Sequence, residues 1–208
     1  SCDKKSIMRT IVNLHPNLKY DALVHAPKVV VVRQFSEEGY KKFDQDFNEA
    51  HKTGQTVIPV VIDSYGGECY SLMGMIGIMQ SSKIPVATIL LSKAMSCGII
   101  LFTCGNEGMR FMAPLATLMI HDVSSGVWGK VEDIKVDAKE TERLNEIIYD
   151  IMDKNCGRRK GYFKDLVHEK GHADWYLDAK ESVKHNLANH IGIPTFNVNV
   201  KMEFDLSI

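Results

Sequence analysis

The sequence has no Cys-x-x-Cys pair, and its five cysteines (Cys2, Cys69, Cys97, Cys104 and Cys156) are an odd number at spacings that match no zinc module. That usage argues against a disulfide framework and against a metal held by cysteine. The expectation is a reducing cytoplasm with most of the thiols serving as small core residues. Charge of one sign is not in excess either: 25 Lys and Arg stand against 26 Asp and Glu, a net charge of −1. No electrostatic footprint for nucleic acid or for an anionic membrane follows from such a balance. Long apolar runs are missing as well. The longest, residues 84–91, is interrupted by Pro85 and is far too short to span a bilayer. No charged-then-apolar leader opens the chain, and no repeat, low-complexity tract or interdomain linker interrupts it.

What is present is an ordinary globular composition, 45% hydrophobic and 25% charged in 208 residues, enough for one domain with a sizeable core. Short β-branched runs alternate with helical periodicity. Strands are expected at residues 9–14, 28–32, 57–62, 86–91, 110–112 and 116–120. Pro59 is awkward inside the third of these, because proline cannot donate to a ladder. Helices are expected after Ser36, an N-cap followed by Glu37 and Glu38, and after Gly67, where Leu72, Met75, Ile76 and Met79 share one face. Gly74 and Gly77 would let that second helix sit close to its neighbours. A third, apolar all round, covers residues 96–102, and the longest covers 131–155. Shorter helices follow at 162–168 and 178–187. The tail from Val198 to Ile208 alternates strictly and reads as a half-buried strand. Strands alternating with helices point to an α/β fold with much parallel pairing.

Three phrases each close an apolar run: Ile62 to Gly67, Ser92 to Gly98, and Met119 to Asp122. They supply the Gly66-Gly67 backbone, the Ser96 hydroxyl and the His121 imidazole. Each alone has a plainer reading, as a tight turn, a helix cap or a structural histidine. Together they are the parts of acyl transfer. A serine needs a neighbouring imidazole to take its proton, and its oxyanion needs donors worth about 3 kcal/mol each. The N–H of Cys97 lies beside the Ser96 hydroxyl, and Gly67 offers a second donor with no side chain in the way. Cys97 is itself a rival nucleophile, and composition does not decide between the two. The acid that would orient His121 stays open among Asp133, Asp137, Asp174 and Asp178. Asp122 is the poorest choice, because consecutive strand residues face opposite ways.

From about Lys28 to Thr195 the chain resembles the proteolytic subunit of the Clp protease, the ClpP family of ATP-dependent serine peptidases. The family's Asn-Ser-Pro-Gly-Gly phrase stands here as Asp63-Ser64-Tyr65-Gly66-Gly67, and its Ala-Ser-Met-Gly phrase as Met95-Ser96-Cys97-Gly98. Its Met-Ile-His phrase is intact at Met119-Ile120-His121. The stretch Tyr176 to Val183 resembles a family phrase whose aromatic residue follows the catalytic aspartate by two positions, which selects Asp174.

The resemblance implies a ClpP/crotonase-like α/β fold of repeated β-β-α units with a protruding handle helix, beginning here at Val131. It implies a Ser96–His121–Asp174 triad, an oxyanion hole of the Gly67 and Cys97 N–H groups, and substrate contacts at Ser125, Gly126 and Val127. The substrate would be a peptide or unfolded protein, cut without metal or organic cofactor. The partners would be further copies of the chain, in heptameric rings stacked as a pair through the handle helix and a strand near residues 126–130, and an AAA+ unfoldase. Three departures bear on those partners. Tyr65 replaces a proline in the glycine phrase. Pro59 and Val61 stand where aromatic residues commonly receive the unfoldase's loops. Ala173 replaces an arginine that helps couple the rings. The chemistry reads as kept and the unfoldase surface as altered.

The layout expected is an N-terminal segment over 1–27, a peptidase domain over 28–195 and a C-terminal β-strand extension over 196–208. Residues 1–7, preceding Met8, are read as an expression remnant. Two alternatives to the peptidase are a catalytically latent structural or regulatory ring subunit and a crotonase-like acyl-CoA enzyme. The serine–histidine pair argues against the latter.

Overall fold

The computed structural model describes residues 27–197. The strands expected at 9–14 and 198–208 lie outside the described residues. The elements in order are β1 (Val30–Val32), α1 (Glu37–Lys52), β2 (Ile58–Ser64), α2 (Cys69–Gln80), β3 (Val86–Met95), α3 (Cys97–Thr103), β4 (Arg110–Met112), β5 (Thr117–Ile120), α4 (Val131–Asn155), α5 (Tyr162–Glu169), β6 (Trp175–Leu177), α6 (Ala179–Lys184) and β7 (His190–Ile191). They form a mixed α/β structure around one sheet, whose path runs β1-β2-β3-β4-β7, with β5 joined to β3 and β6 joined to β5. Every pairing is parallel except β5 with β6.

The strand β3 organises this sheet. Its first half pairs with β4 through Thr88, Ile89 and Leu90, and its second half pairs with β5 through Lys93, Ala94 and Met95. The expected strand at 86–91 therefore runs on to Met95, because a second neighbour satisfies its backbone groups beyond Leu91. Pro59 is tolerated inside β2 for a geometric reason. Ile58 donates toward β3, to the Pro85 carbonyl at 2.9 Å. The next residue faces β1, whose ladder begins only at the Val30–Val60 pair.

The helices form where their caps and apolar faces direct. Ser36 Oγ accepts from the Gly39 N–H at 3.0 Å and opens α1, which buries Phe43 and Phe47. Leu72, Met75, Ile76 and Met79 are all buried in α2, as their spacing requires. A β-carbon on Gly74 would meet the Tyr40 ring at 2.7 Å, so α1 and α2 touch there, whereas Gly77 faces open space. Every residue of α3 is buried. By contrast, α4 buries nothing before Leu144. The α5 helix has no side-chain cap at Gly161, and buried Asp153 of α4 serves instead, accepting from the Gly161 N–H at 2.7 Å and the Phe163 N–H at 3.0 Å. The strand expected near 126–130 is not formed. Residues 121–130 have no regular structure, because no sheet edge lies beside them among the described residues.

Candidate active site

Parallel pairing sets the site's location. With β2, β3 and β5 parallel, their C-terminal ends share one edge of the sheet, where open α/β sheets place their ligands. Gly66 and Gly67 follow β2, Ser96 follows β3 and His121 follows β5. The antiparallel β6 brings the fourth group to that edge, since Ile120 pairs with Trp175 and the next residues outward are His121 and Asp174.

Ser96 sits at the turn between β3 and α3 with φ 55° and ψ −120°. A positive φ at a non-glycine residue costs on the order of 1–3 kcal/mol and persists only where the surroundings enforce it. Here they do. The Ser96 N–H donates to the Met119 carbonyl at 3.0 Å, and Met95 is in register with Met119. Such a sharp strand-to-helix turn lifts a hydroxyl clear of the sheet, and Ser96 is half-buried as a result. It stands at the N-cap position of α3, but its side chain makes no capping hydrogen bond.

The glycine phrase lies against this turn. Gly66 has φ 110° and Gly67 has φ 148°, and a β-carbon on Gly67 would meet the Phe35 carbonyl at 2.3 Å. The Glu68 N–H donates to that carbonyl at 2.8 Å, and the Gly66 N–H to Ser64 Oγ at 3.0 Å, which fixes the loop from both sides. Among the described residues, neither the Gly67 nor the Cys97 N–H has an acceptor. Behind the loop, Asp63 accepts from Lys93 Nζ at 2.6 Å and from Arg33 at 2.9 Å, and those cations hold its carboxyl below the usual range.

The Cys97 side chain lies within the interior, with the Ser96 hydroxyl, the Gly67 carbonyl and Cys69 around its thiol. It is buried, and its Sγ lies 3.4 Å from the Gly67 carbonyl. It also faces Cys69 at the start of α2. The hydrogen bond from Cys97 lowers the Cys69 thiol to about 7, while the Cys69 contact and burial push Cys97 upward. The single S–H proton of Cys97 serves one acceptor at a time, so the Gly67 carbonyl and Cys69 Sγ compete for it.

His121 is half-buried and Asp174 exposed. Among the described residues, no hydrogen bond joins Ser96 Oγ to His121, or His121 to Asp174. The carboxylate that does hold an imidazole is Asp122, whose Oδ2 lies 2.9 Å from His172 Nδ1. Its Oδ1 accepts from Tyr149 Oη at 2.9 Å and from Asn145 Nδ2 at 3.4 Å. Burial raises the Asp122 carboxyl, but these three bonds, His172's foremost, outweigh it and leave the group below its ordinary range. His168 and His172 escaped the sequence reading. Their separation by four positions was a usable signal, hidden by the helix boundary between them.

Ser125, Gly126 and Val127 are exposed in the irregular stretch after β5, and Ser125 Oγ donates to Asp137 Oδ2 at 2.6 Å. Two cavities, of about 370 Å³ beside Ile84 and about 330 Å³ beside Arg33, lie away from Ser96. Among the described residues, no helix is long and apolar enough to cross a membrane.

A family model described as Clp protease matches residues 16–194. The ATP-dependent Clp protease proteolytic subunit of Deinococcus radiodurans is 32% identical over 138 residues. That stretch is 64% of this chain and 64% of the relative, so the chain spans just under two thirds of the length of the curated protein it matches.

Proposed function

The chain belongs to the Clp protease family as a divergent member, and from that premise we propose that it is a serine endopeptidase acting on short or unfolded polypeptides. The observation that carries this reading is the meeting of Gly66-Gly67, a strained Ser96, His121 and Asp174 at one sheet edge. Ser96 Oγ attacks the peptide carbonyl carbon while His121 takes its proton. Collapse of the tetrahedral intermediate breaks the C–N bond, and His121 gives that proton to the leaving amine. Water, activated by the same imidazole, then releases the acyl group from Ser96. Asp174 holds the tautomer of His121 and stabilises its charged form. The Gly67 and Cys97 N–H groups receive the oxyanion. Ser125, Gly126 and Val127 would contact the extended substrate as it runs past Ser96.

The chain works as a ring of copies, seven in the family's manner, stacked in pairs around a chamber. The exposed apolar residues Trp128, Val131, Ile134 and Val136 on the irregular stretch and the unburied start of α4 support a second copy covering them. In this arrangement α4 is the handle. An AAA+ partner would contact the surface at Val61, beneath which Pro59 is buried. No metal or organic cofactor takes part in the bond cleavage, and the domain limits are 28–195 with flanking segments.

One observation favours a second reading, a latent ring subunit: the three catalytic side chains are not hydrogen-bonded to one another in the single chain. Resting sites commonly tighten only with substrate. Hydrolysis of a quenched fluorescent peptide, measured across size-exclusion fractions, separates the two. The peptidase reading expects turnover in the assembled fraction and its loss in Ser96→Ala. Assembled protein with no turnover supports latency.

A further inference from the structure

We propose that Asp122, His168 and His172 bind a divalent cation of the zinc class, which clasps the turn before Asp174 to the end of β5. The three side chains come from separate places. Asp122 follows β5, His168 lies in the last turn of α5, and His172 lies in the turn after it. One ligand atom from each falls within 4.8 Å of the other two. Ligand atoms around one zinc at about 2.1 Å stand roughly 3.4 Å apart, so small rotations of two exposed imidazoles close the set. The His168 and His172 ring centroids are already 4.0 Å apart, and His172 Nδ1 is 2.9 Å from Asp122 Oδ2.

An ordinary ion pair between His172 and Asp122 leaves the placement of His168 without a purpose. The surroundings also fit a metal better than a pair. Asp122 Oδ1 is held by Tyr149 and Asn145 of α4, which leaves Oδ2 as the ligand oxygen and fixes its direction, as outer partners do at metal centres. The neighbouring cations are engaged elsewhere: Lys170 lies over the Trp175 ring at 5.0 Å, and Lys164 pairs with Glu146. The chain at His172 is committed to the geometry by a φ of 59° and by its N–H bond to the Val167 carbonyl at 3.1 Å. Two imidazole nitrogens and one carboxylate oxygen suit zinc and its borderline neighbours, whereas magnesium and calcium favour all-oxygen sets. Water would complete the shell.

The clasp has a mechanical meaning that rests on the peptidase reading. Asp122 adjoins His121, and His172 precedes Asp174 by two residues, so a bound cation ties base and acid segments together without touching substrate.

Cobalt(II) serves as the probe, because its visible absorption reports a nitrogen–oxygen shell of low coordination number. Titration of the full chain should give those bands with an equimolar end point, and zinc should abolish them by displacement. His168→Ala and His172→Ala should each weaken binding at least tenfold, and both residues are exposed, so the fold should survive. Hydrogen exchange over residues 170–174 should slow on zinc addition in the wild type and not in the double variant. Absence of the bands, equal binding by the double variant, or unchanged exchange on zinc addition would each overturn the proposal. None of these readouts depends on Ser96 chemistry, so failure here leaves the peptidase reading to its own test.

Discussion

A β-carbon placed on Gly66 would lie 2.7 Å from Ser96 Cβ and 3.2 Å from Ser96 Oγ. The glycine phrase and the serine turn are thus in contact with no room for one more methyl group. Gly66 also holds φ at 110°, where a side chain is strained whatever the space. Gly66→Ala should push the loop off the serine by a few tenths of an ångström or more. Displacements approaching 1 Å cost about 10²-fold in rate. The variant should retain its circular dichroism spectrum while kcat/KM on a peptide falls, by up to about 100-fold as the shift approaches 1 Å.

Cys69 and Cys97 give a pH-dependent prediction beside the same turn. The Cys69 thiol is lowered to about 7 by the hydrogen bond from Cys97, and the thiolate is the reactive form. Its alkylation by iodoacetamide, followed by peptide mass mapping, should accelerate through a midpoint near pH 7. Cys104 and Cys156 should lag far behind, since burial pushes both up to about 12. In Cys97→Ala the Cys69 midpoint should move up toward the ordinary 9.0.

The Asp63 cluster predicts an acid limb of stability. Lys93 and Arg33 lower its folded pKa beneath the ordinary 3.8. A carboxylate shifted this way stabilises the fold above its unfolded value, about 3.9, and the contribution is lost as pH falls through the folded value. The difference in melting temperature between wild type and Asp63→Asn should be constant from pH 7 to pH 5 and should shrink below about pH 4. A gap that widened on acidification would contradict the assignment.

Arg110 is 1% exposed, and among the described residues it forms no ion pair. Its guanidinium donates instead to the carbonyls of Leu187 at 2.9 Å, Asn186 at 2.7 Å and Gly105 at 3.4 Å. Lysine keeps the charge but loses the planar fork that reaches three acceptors. Arg110→Lys should therefore destabilise the fold by roughly 3 kcal/mol in urea denaturation.

The sequence made legible whatever depended on local pattern. Ser36 announced α1, the Leu72–Met79 stripe announced α2, and α4 runs over the residues its periodicity marked, Val131 to Asn155. The two strands that escaped, β6 and β7, are three and two residues long, and they exist only because β5 and β4 offer edges to pair with. No window that short carries a period. For the site, the Gly66-Gly67, Ser96 and His121 phrases could be read because each ends an apolar run. Asp174 could not be ranked from spacing, since it reaches the edge through the antiparallel β5–β6 pair. The four-residue spacing of His168 and His172 could be read, but their meeting with Asp122 could not, since it joins residues far apart in the chain through tertiary packing.

The central claim is that Ser96, and not Cys97, is the nucleophile, with His121 as its base. The direct measurement is labelling of the assembled protein with a fluorophosphonate, followed by mass spectrometry of the modified peptide. A phosphonyl adduct on Ser96 that disappears in His121→Ala is the predicted result. An adduct on Cys97 alone, or Ser96 labelling unchanged in His121→Ala, would contradict it.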